Sequence, residues 1–273
     1  MRLPLVSKKS LALTCACLLF MLSALVLFLF VRRPDERALA RGAASPGARM
    51  AGFPKLFLWA WERPERLDFI NPREVGVAFL AKTIYLREDK VIERPRMQPL
   101  NVPNGTTLVA VVRIEALHDE RPALSGAQRA AVVNALLNAA RAPNVSALQI
   151  DFDALQSERE FYKSLLQDVR ARLPQTMPLS ITALASWCVD DNWLEKLPVD
   201  EAVPLLFQMG LDDERIKNYL NRGGAFRSPL CRLSKGISTN EPVTNIPQAS
   251  RTYVFQTQSW TEPDVRRAIE RNR

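Results

Sequence analysis

Leu148-Gln149-Ile150-Asp151-Phe152-Asp153-Ala154 is the stretch on which the reading of this chain turns. Polar and apolar residues alternate with period two, the mark of a β-strand whose side chains point to opposite faces. Ile150 and Phe152 go to one face, and Gln149, Asp151 and Asp153 go to the other. The apolar face calls for a cover of helices. The face with two carboxylates calls for water or a polar cavity. A barrel strand meets both demands when its outer face lies under helices and its last inner residues reach an open mouth.

Short β-rich runs recur on either side of this stretch, at 56–61, 75–80, 107–114, 147–152, 179–184, 205–209, 232–237 and 252–256. Several are nearly continuous apolar runs, as strands covered on both faces should be. Helical patterns stand between many of them. Ser125 with Gln128, and Ser157 with Glu160, have capping-box spacing. From Glu158 a stripe of Phe161, Leu165, Leu166, Val169 and Leu173 keeps a helical period until Pro174 ends it. Residues 211–221 and 262–271 read as further helices. Eight strands alternating with helices predict an α/β fold, a (β/α)8 TIM-like barrel. The pattern is irregular between the second and third strands, where residues 83–96 read as a hairpin. Pro204 lacks a ladder donor, so the sixth strand is expected to begin after it. A doubly wound open sheet is the alternative architecture.

Ahead of the barrel, residues 11–31 hold 21 residues without a charge. A helix of that length crosses the bilayer core. The domain expectation is therefore a basic tail (1–10), a transmembrane helix acting as anchor (11–31), a linker rich in Arg, Ala, Gly and Pro (32–54) and a barrel domain (55–273). A cleaved signal peptide is the competing reading, but its apolar core is shorter, roughly 7–15 residues. Arg2, Lys8 and Lys9 precede the apolar run, and Arg32 and Arg33 follow it, so the positive-inside count is nearly balanced. A short basic tail ahead of a first apolar segment usually stays in the cytoplasm, which puts the barrel on the far side.

Composition narrows the chemistry. The net charge is +8, with 37 basic and 29 acidic residues. Residues 1–50 hold eight of the basic and two of the acidic ones, which leaves 29 against 27 for the other 223 residues. The globular part thus lacks the basic footprint of a nucleic-acid binder, and no nucleic-acid partner is expected. The single histidine, His118, rules out a multi-histidine zinc site within this chain. No glycine-rich phosphate loop occurs, and no metal or other cofactor is expected. Cys188 and Cys231 lie 43 residues apart and read equally as a disulfide or as two buried thiols.

Barrel function gathers at the C-terminal ends of the strands. Asp151 and Asp153 are the candidate catalytic pair. Two like charges on one face raise one pKa, leaving a neutral acid beside an ionised base, which is what cleavage of a glycosidic bond requires. Arg113 and Glu115 end the third strand on one face. Arg113 neighbours Asp151 and is read either as holding it ionised or as a structural ion pair. Trp59, Trp61, Trp187 and Trp260 fall near strand ends, where aromatic faces make platforms for sugar rings; core packing is their other role. Gln208 and Gln256 add groups that donate and accept hydrogen bonds. These residues make up the expected substrate-binding set, with a carbohydrate as ligand.

The segment 148–154, together with Phe161-Tyr-Lys-Ser-Leu-Leu-Gln-Asp-Val-Arg170 and Leu179-Ser-Ile-Thr-Ala-Leu-Ala-Ser-Trp-Cys188, resembles a bacterial envelope family of unknown function. Pro204-Leu-Leu-Phe-Gln-Met-Gly210 and Gly236-Ile-Ser-Thr-Asn-Glu-Pro242 extend the likeness. A more distant likeness is to the chitinase-like family-18 glycoside hydrolases, whose fourth strand carries spaced acids ending in a catalytic glutamate. Those acid positions fall on Ser146, Gln149, Asp151 and Asp153, of which only the last two are acidic. The resemblance implies that Asp153 donates the proton and Asp151 steadies the substrate's acetamido group. It also shows a departure, because Asp153 is one methylene shorter than glutamate. The expectation is a single-pass inner-membrane protein with a periplasmic or extracellular barrel acting on an envelope or extracellular polysaccharide. A non-catalytic barrel that binds a glycan or an envelope partner is the alternative, and a scaffold for an export complex is a third.

Overall fold

A computed structural model describes residues 47–272. The expected basic tail, anchor and most of the linker lie outside the described residues. Among the described residues no helix is long and apolar enough to cross a membrane.

The described strands are β1 (Leu56–Ala60), β2 (Glu65–Arg66), β3 (Val75–Arg87), β4 (Lys90–Pro95), β5 (Leu100–Asn101), β6 (Leu108–Ala116), β7 (Val145–Asp151), β8 (Leu179–Leu184), β9 (Glu201–Leu205), β10 (Ser234–Ser238) and β11 (Arg251–Phe255). The α-helices are α1 (Gly126–Ala140), α2 (Arg159–Arg172), α3 (Ala185–Val189), α4 (Asp213–Asn221) and α5 (Glu262–Asn272). Eight strands close a parallel barrel in the order β1-β3-β6-β7-β8-β9-β10-β11, and β11 pairs back onto β1. The open-sheet alternative is thereby excluded. The irregularity expected after the second strand is a hairpin. β3 runs past the barrel wall, with a register shift between Leu80 and Lys82, and folds back antiparallel as β4.

The alternation read in β7 holds in space. Ile150 and Phe152 are buried in the outer core with Leu136, Tyr162, Leu165 and Leu166 from the covering helices. Burial of each such side chain contributes roughly 1.5–3 kcal/mol. Gln149 is fully buried on the inner side, where the apolar filling comes from Phe57, Trp59, Val109, Val111, Val203 and Tyr253. Phe57 and Trp59 both stack on Tyr253, at 5.0 and 5.3 Å between ring centroids. Gly236 makes room for that stack. A Cβ there would stand 2.9 Å from the Trp59 ring and 3.2 Å from the Pro204 carbonyl oxygen.

Helix α1 starts at the Ser125 cap its sequence predicts, with the Ser125 hydroxyl accepting from the Gln128 N–H at 3.1 Å, but the Gln128 side chain accepts from the Leu124 N–H at 2.8 Å and so does not close the capping box. The Gln128 side chain also donates to the Lys90 carbonyl at 2.8 Å, tying the helix to the β3–β4 hairpin. The second predicted capping box does not form. A 3₁₀ turn at Gln156–Glu158 leads into α2, and the Glu158 carboxylate accepts from the Leu155 N–H at 2.7 Å. The tight entry moves the first free N–H back to Leu155, beyond the reach of Glu160.

β9 corrects the expected sixth strand. It spans Glu201–Leu205 and includes Pro204, in register with Ala183 of β8. Proline is tolerated because one side of β9 has little ladder to lose: its pairing with β10 is a single register pair, Leu205 with Gly236.

The packed chain also begins ahead of Lys55. Met50 is fully buried at the closed end of the barrel, and Arg49 pairs with Asp200 at 2.8 Å. Arg251 donates to the Met50 carbonyl at 2.8 Å and to Glu201 at 2.7 Å. The carboxylate of Glu201 also accepts from Tyr253 at 2.6 Å and from Ser180 at 3.1 Å. This buried acid is neutralised and saturated with donors, as its position demands. Cys188 and Cys231 form a disulfide with their Cα atoms 5.9 Å apart, tying α3 to the turn before β10.

Candidate functional site

The end of β7 places both aspartates at the open mouth. Asp151 is the last strand residue, in register with Arg113 of β6, and Asp153 follows two residues on. They line one cleft of about 290 Å³, at the small end of ligand cavities. Trp59, Trp61, Arg113 and Gln208 line it with them. Six of the ten residues expected from the sequence therefore meet there.

Two smaller recesses share lining residues with this cleft. One, of about 220 Å³, runs toward β6 and is lined by Arg113, Glu115, Leu117 and Glu158. The other, of about 100 Å³, runs toward α3 and is lined by Ser186, Met209 and Asp212. Asp153 lines the cleft and both recesses. Glu115 thus belongs to a side recess, with its carboxylate on the Arg113 guanidinium at 2.8 Å.

Two aromatic surfaces frame the cleft. Phe207 and Phe255 stack with centroids 5.2 Å apart, and Trp61 stands edge-on to Phe255 at 6.1 Å. Arg113 lies 5.9 Å above the Trp61 ring, within cation–π range. Trp59 forms the floor. Its indole N–H donates to Gln149 at 3.0 Å, and Gln149 in turn donates to the Ser180 hydroxyl at 3.0 Å.

The electrostatics distinguish the two acids. Burial raises the pKa of Asp151. The Thr182 hydroxyl, donating to its Oδ1 at 2.6 Å, and Arg113 both pull it back down, while Glu115 pushes it up. Arg113 favours the charged form of Asp151, but desolvation is the larger influence, and the guanidinium forms its ion pair with Glu115. Asp153 keeps much of its surface open to the cleft, yet the surrounding walls desolvate its carboxyl and raise its pKa to about 6, with the Asp151 charge adding to the rise. Asp151 has two neighbours that favour its charged form and Asp153 has one. Asp153 is therefore the better proton carrier and Asp151 the better anion.

Three expected residues lie elsewhere. Trp187 sits in α3, edge-on to Trp193 at 4.9 Å and 5.8 Å beneath Arg159. Trp260 is in the outer layer, with its indole donating to the Trp59 carbonyl at 2.9 Å. Both follow their strands by several residues, after the chain has turned out toward the helices. Gln256 has the outward parity of Thr252 and Val254, and its amide donates to Asp264 at 3.1 Å at the start of α5. Thr182, Phe207 and Phe255 line the cleft without having been anticipated. Thr182 had a readable signal, since Ser180-Ile181-Thr182 repeats the polar-apolar alternation of β7.

Among the described residues no cluster of His, Cys, Asp and Glu is arranged to hold a metal ion. No curated protein matches the chain. Solved structures similar to it include the spore cortex-lytic enzyme SleL of Bacillus cereus, at 15% identity and a TM-score of 0.45, covering 68% of this chain and 52% of that one. The chain thus spans about half the length of SleL. A GH113 β-1,4-mannanase is similar at 10% identity and a TM-score of 0.46, covering 81% of this chain and 98% of that one. The chitinase domain of the spore coat protein CotE from Clostridium difficile gives 10% identity and a TM-score of 0.41, covering 82% of this chain and 73% of that one. Residues 104–206, which carry β6 to β9 and both aspartates, match the family described as a domain of unknown function (DUF3142).

Proposed function

We propose that this barrel is a glycoside hydrolase acting on an envelope or extracellular polysaccharide, with Asp153 as the acid and Asp151 as its anionic partner. The observation that supports it is the placing of both carboxyls, from one strand end, in an aromatic-walled cleft where Asp153 titrates at about 6. A carboxyl with that pKa is half protonated near pH 6 and keeps roughly a tenth of its population protonated at pH 7, and the protonated form can give its proton to a leaving oxygen. The proton passes from Asp153 to the glycosidic oxygen as the bond to the anomeric carbon breaks. The Asp151 carboxylate steadies the positive charge that develops. Water then adds to the anomeric carbon and returns a proton to Asp153. Trp61 and the Phe207–Phe255 pair supply faces for the sugar rings.

Reducing-end release from a panel of polysaccharides tests this reading. The unaltered protein is expected to release sugar from at least one of them, and Asp153→Asn is expected to abolish release while retaining affinity. Turnover unchanged in that variant removes Asp153 from the mechanism. A second reading rests on the shorter acid at position 153. Binding without product release by the unaltered protein supports a glycan-binding barrel instead.

The location follows as part of the proposal. Residues 11–31 anchor the chain in the inner membrane, and the barrel lies outside the cytoplasm. The disulfide between Cys188 and Cys231 supports an oxidising compartment. Fusion of a compartment-sensitive reporter at the C-terminus tests it; a cytoplasmic signal overturns it.

A further inference from the structure

A second cavity, of about 470 Å³, lies on the outer flank of the barrel, where β10 and β11 face α5. It exists because the connection between these strands contains no helix. Residues 239–250 form a loop carrying Pro242, Pro247 and a left-handed Asn245 (φ 53°), so a loop covers the seam in place of a helix. Register sets Lys235 opposite Thr252 and Ile237 opposite Val254. These four face outward, since Tyr253 between them points into the barrel.

The cavity is polarised. Helix α5 begins near the mouth, where Asp264 accepts from Gln256, and runs back toward the closed end. Its last turn brings Arg271 to the end of the groove where Lys235 stands, and both line the cavity. Ile237, Val243, Ile246, Val254 and Ala268 line its middle, and Ser238, Asn240 and Asp264 line its far end, which is again polar. The cations have unequal surroundings. Arg267 is engaged by Asp264. Among the described residues neither Lys235 nor Arg271 has an ion-pair partner. Lys235 is half-buried, and desolvation pulls its pKa down. A partly desolvated ammonium without an anionic partner is costly, and an anion shared with the exposed Arg271 would offset that cost.

We propose that this flank binds an anionic amphiphile, with a phosphate or carboxylate head between Lys235 and Arg271 and an apolar body along Ile237 and Val254. The site is separate from the cleft and does not depend on the reaction proposed there. Two cations at one end of a groove with an apolar middle favour an amphiphile over a small hydrophilic anion, because only a ligand with both parts meets both stretches.

The test uses the full chain in zwitterionic phosphatidylcholine nanodiscs, with empty discs as baseline and n-hexyl phosphate as probe in titration calorimetry. Hexyl phosphate is expected to bind, and the double variant Lys235→Ala/Arg271→Ala to lose affinity by at least about tenfold. Asp153→Asn should bind it unchanged. Ile237→Asn tests the apolar half and is expected to weaken hexyl phosphate while leaving inorganic phosphate as it was. An unchanged unfolding temperature in each variant shows that the fold is intact. Equal binding by the double variant overturns the proposal, as does inorganic phosphate binding as tightly as hexyl phosphate. Discs doped with phosphatidylglycerol decide the source. Displacement of the probe assigns the head to a lipid and its absence to a soluble anion, and either result upholds the site.

Discussion

The hydroxyl of Thr182 on β8 donates to Oδ1 of Asp151 on β7 at 2.6 Å, so neighbouring strands set the charge of one acid. Removing the donor leaves burial less opposed. Thr182→Val is expected to raise the pKa of Asp151 and to move the acidic limb of the pH–rate profile upward. Activity at neutral pH should fall, by less than the roughly hundredfold or more that loss of a whole general acid or base costs. A carboxyl-labelled NMR titration of Asp151 checks the first part directly.

Asp153 carries a pH signature in stability as well as in rate. Its folded pKa of about 6 exceeds the ordinary value of 3.8, so the folded chain binds its proton more tightly than the unfolded chain does. Between those values stability falls as pH rises, and above about pH 6 the ionised group is a standing cost. Asp153→Asn should therefore raise the unfolding temperature at pH 7.5 and change it little at pH 3.5. Hydrolysis by the unaltered protein should decline as pH passes above about 6.

The four tryptophans divide into two experiments. Trp61 lines the cleft and is half-exposed, so Trp61→Ala should weaken glycan binding by about 1 kcal/mol and leave stability largely intact. Trp187 is 4% exposed and packed between Trp193 and Arg159. Trp187→Ala should cost about 3–5 kcal/mol of stability with no specific effect on affinity. Denaturant unfolding beside a binding titration separates them.

The disulfide closes a loop between residues 43 apart in sequence. Loop entropy alone puts its contribution at about 4 kcal/mol. Cys188→Ser with Cys231→Ser should lower the midpoint of denaturation accordingly, and reductant should lower the unaltered protein to the same level. A smaller drop on reduction would show that the reduced thiols still pack.

The barrel was legible because one face of each strand must be covered and the other enclosed. Gln149-Ile150-Asp151-Phe152-Asp153 showed both requirements in five residues, and Asp151, Asp153 and Arg113 do meet in the cleft. β9 was misplaced because the cost of Pro204 depends on the ladder beside it, a property of β10 that local sequence does not contain. Trp187, Trp260 and Gln256 were drawn to the mouth by nearness to strand ends. Direction decided otherwise, since the chain leaves the strand axis within a few residues. Phe207 and Phe255 enter the cleft through a pairing between β9 and β11 ends that no single segment announces.

Met50, Arg251, Glu201, Ser180, Gln149 and Trp59 form one unbroken relay of hydrogen bonds from the barrel's plug to the bed on which a ligand would rest. A version of the protein trimmed to begin at residue 52 would strip Arg251 of its Met50 carbonyl acceptor and Asp200 of the nearer of its two guanidinium partners, Arg49. The slackening would travel up the stave and let the indole of Trp59 tilt, so that a cut made at the base would be felt as lost grip at the rim.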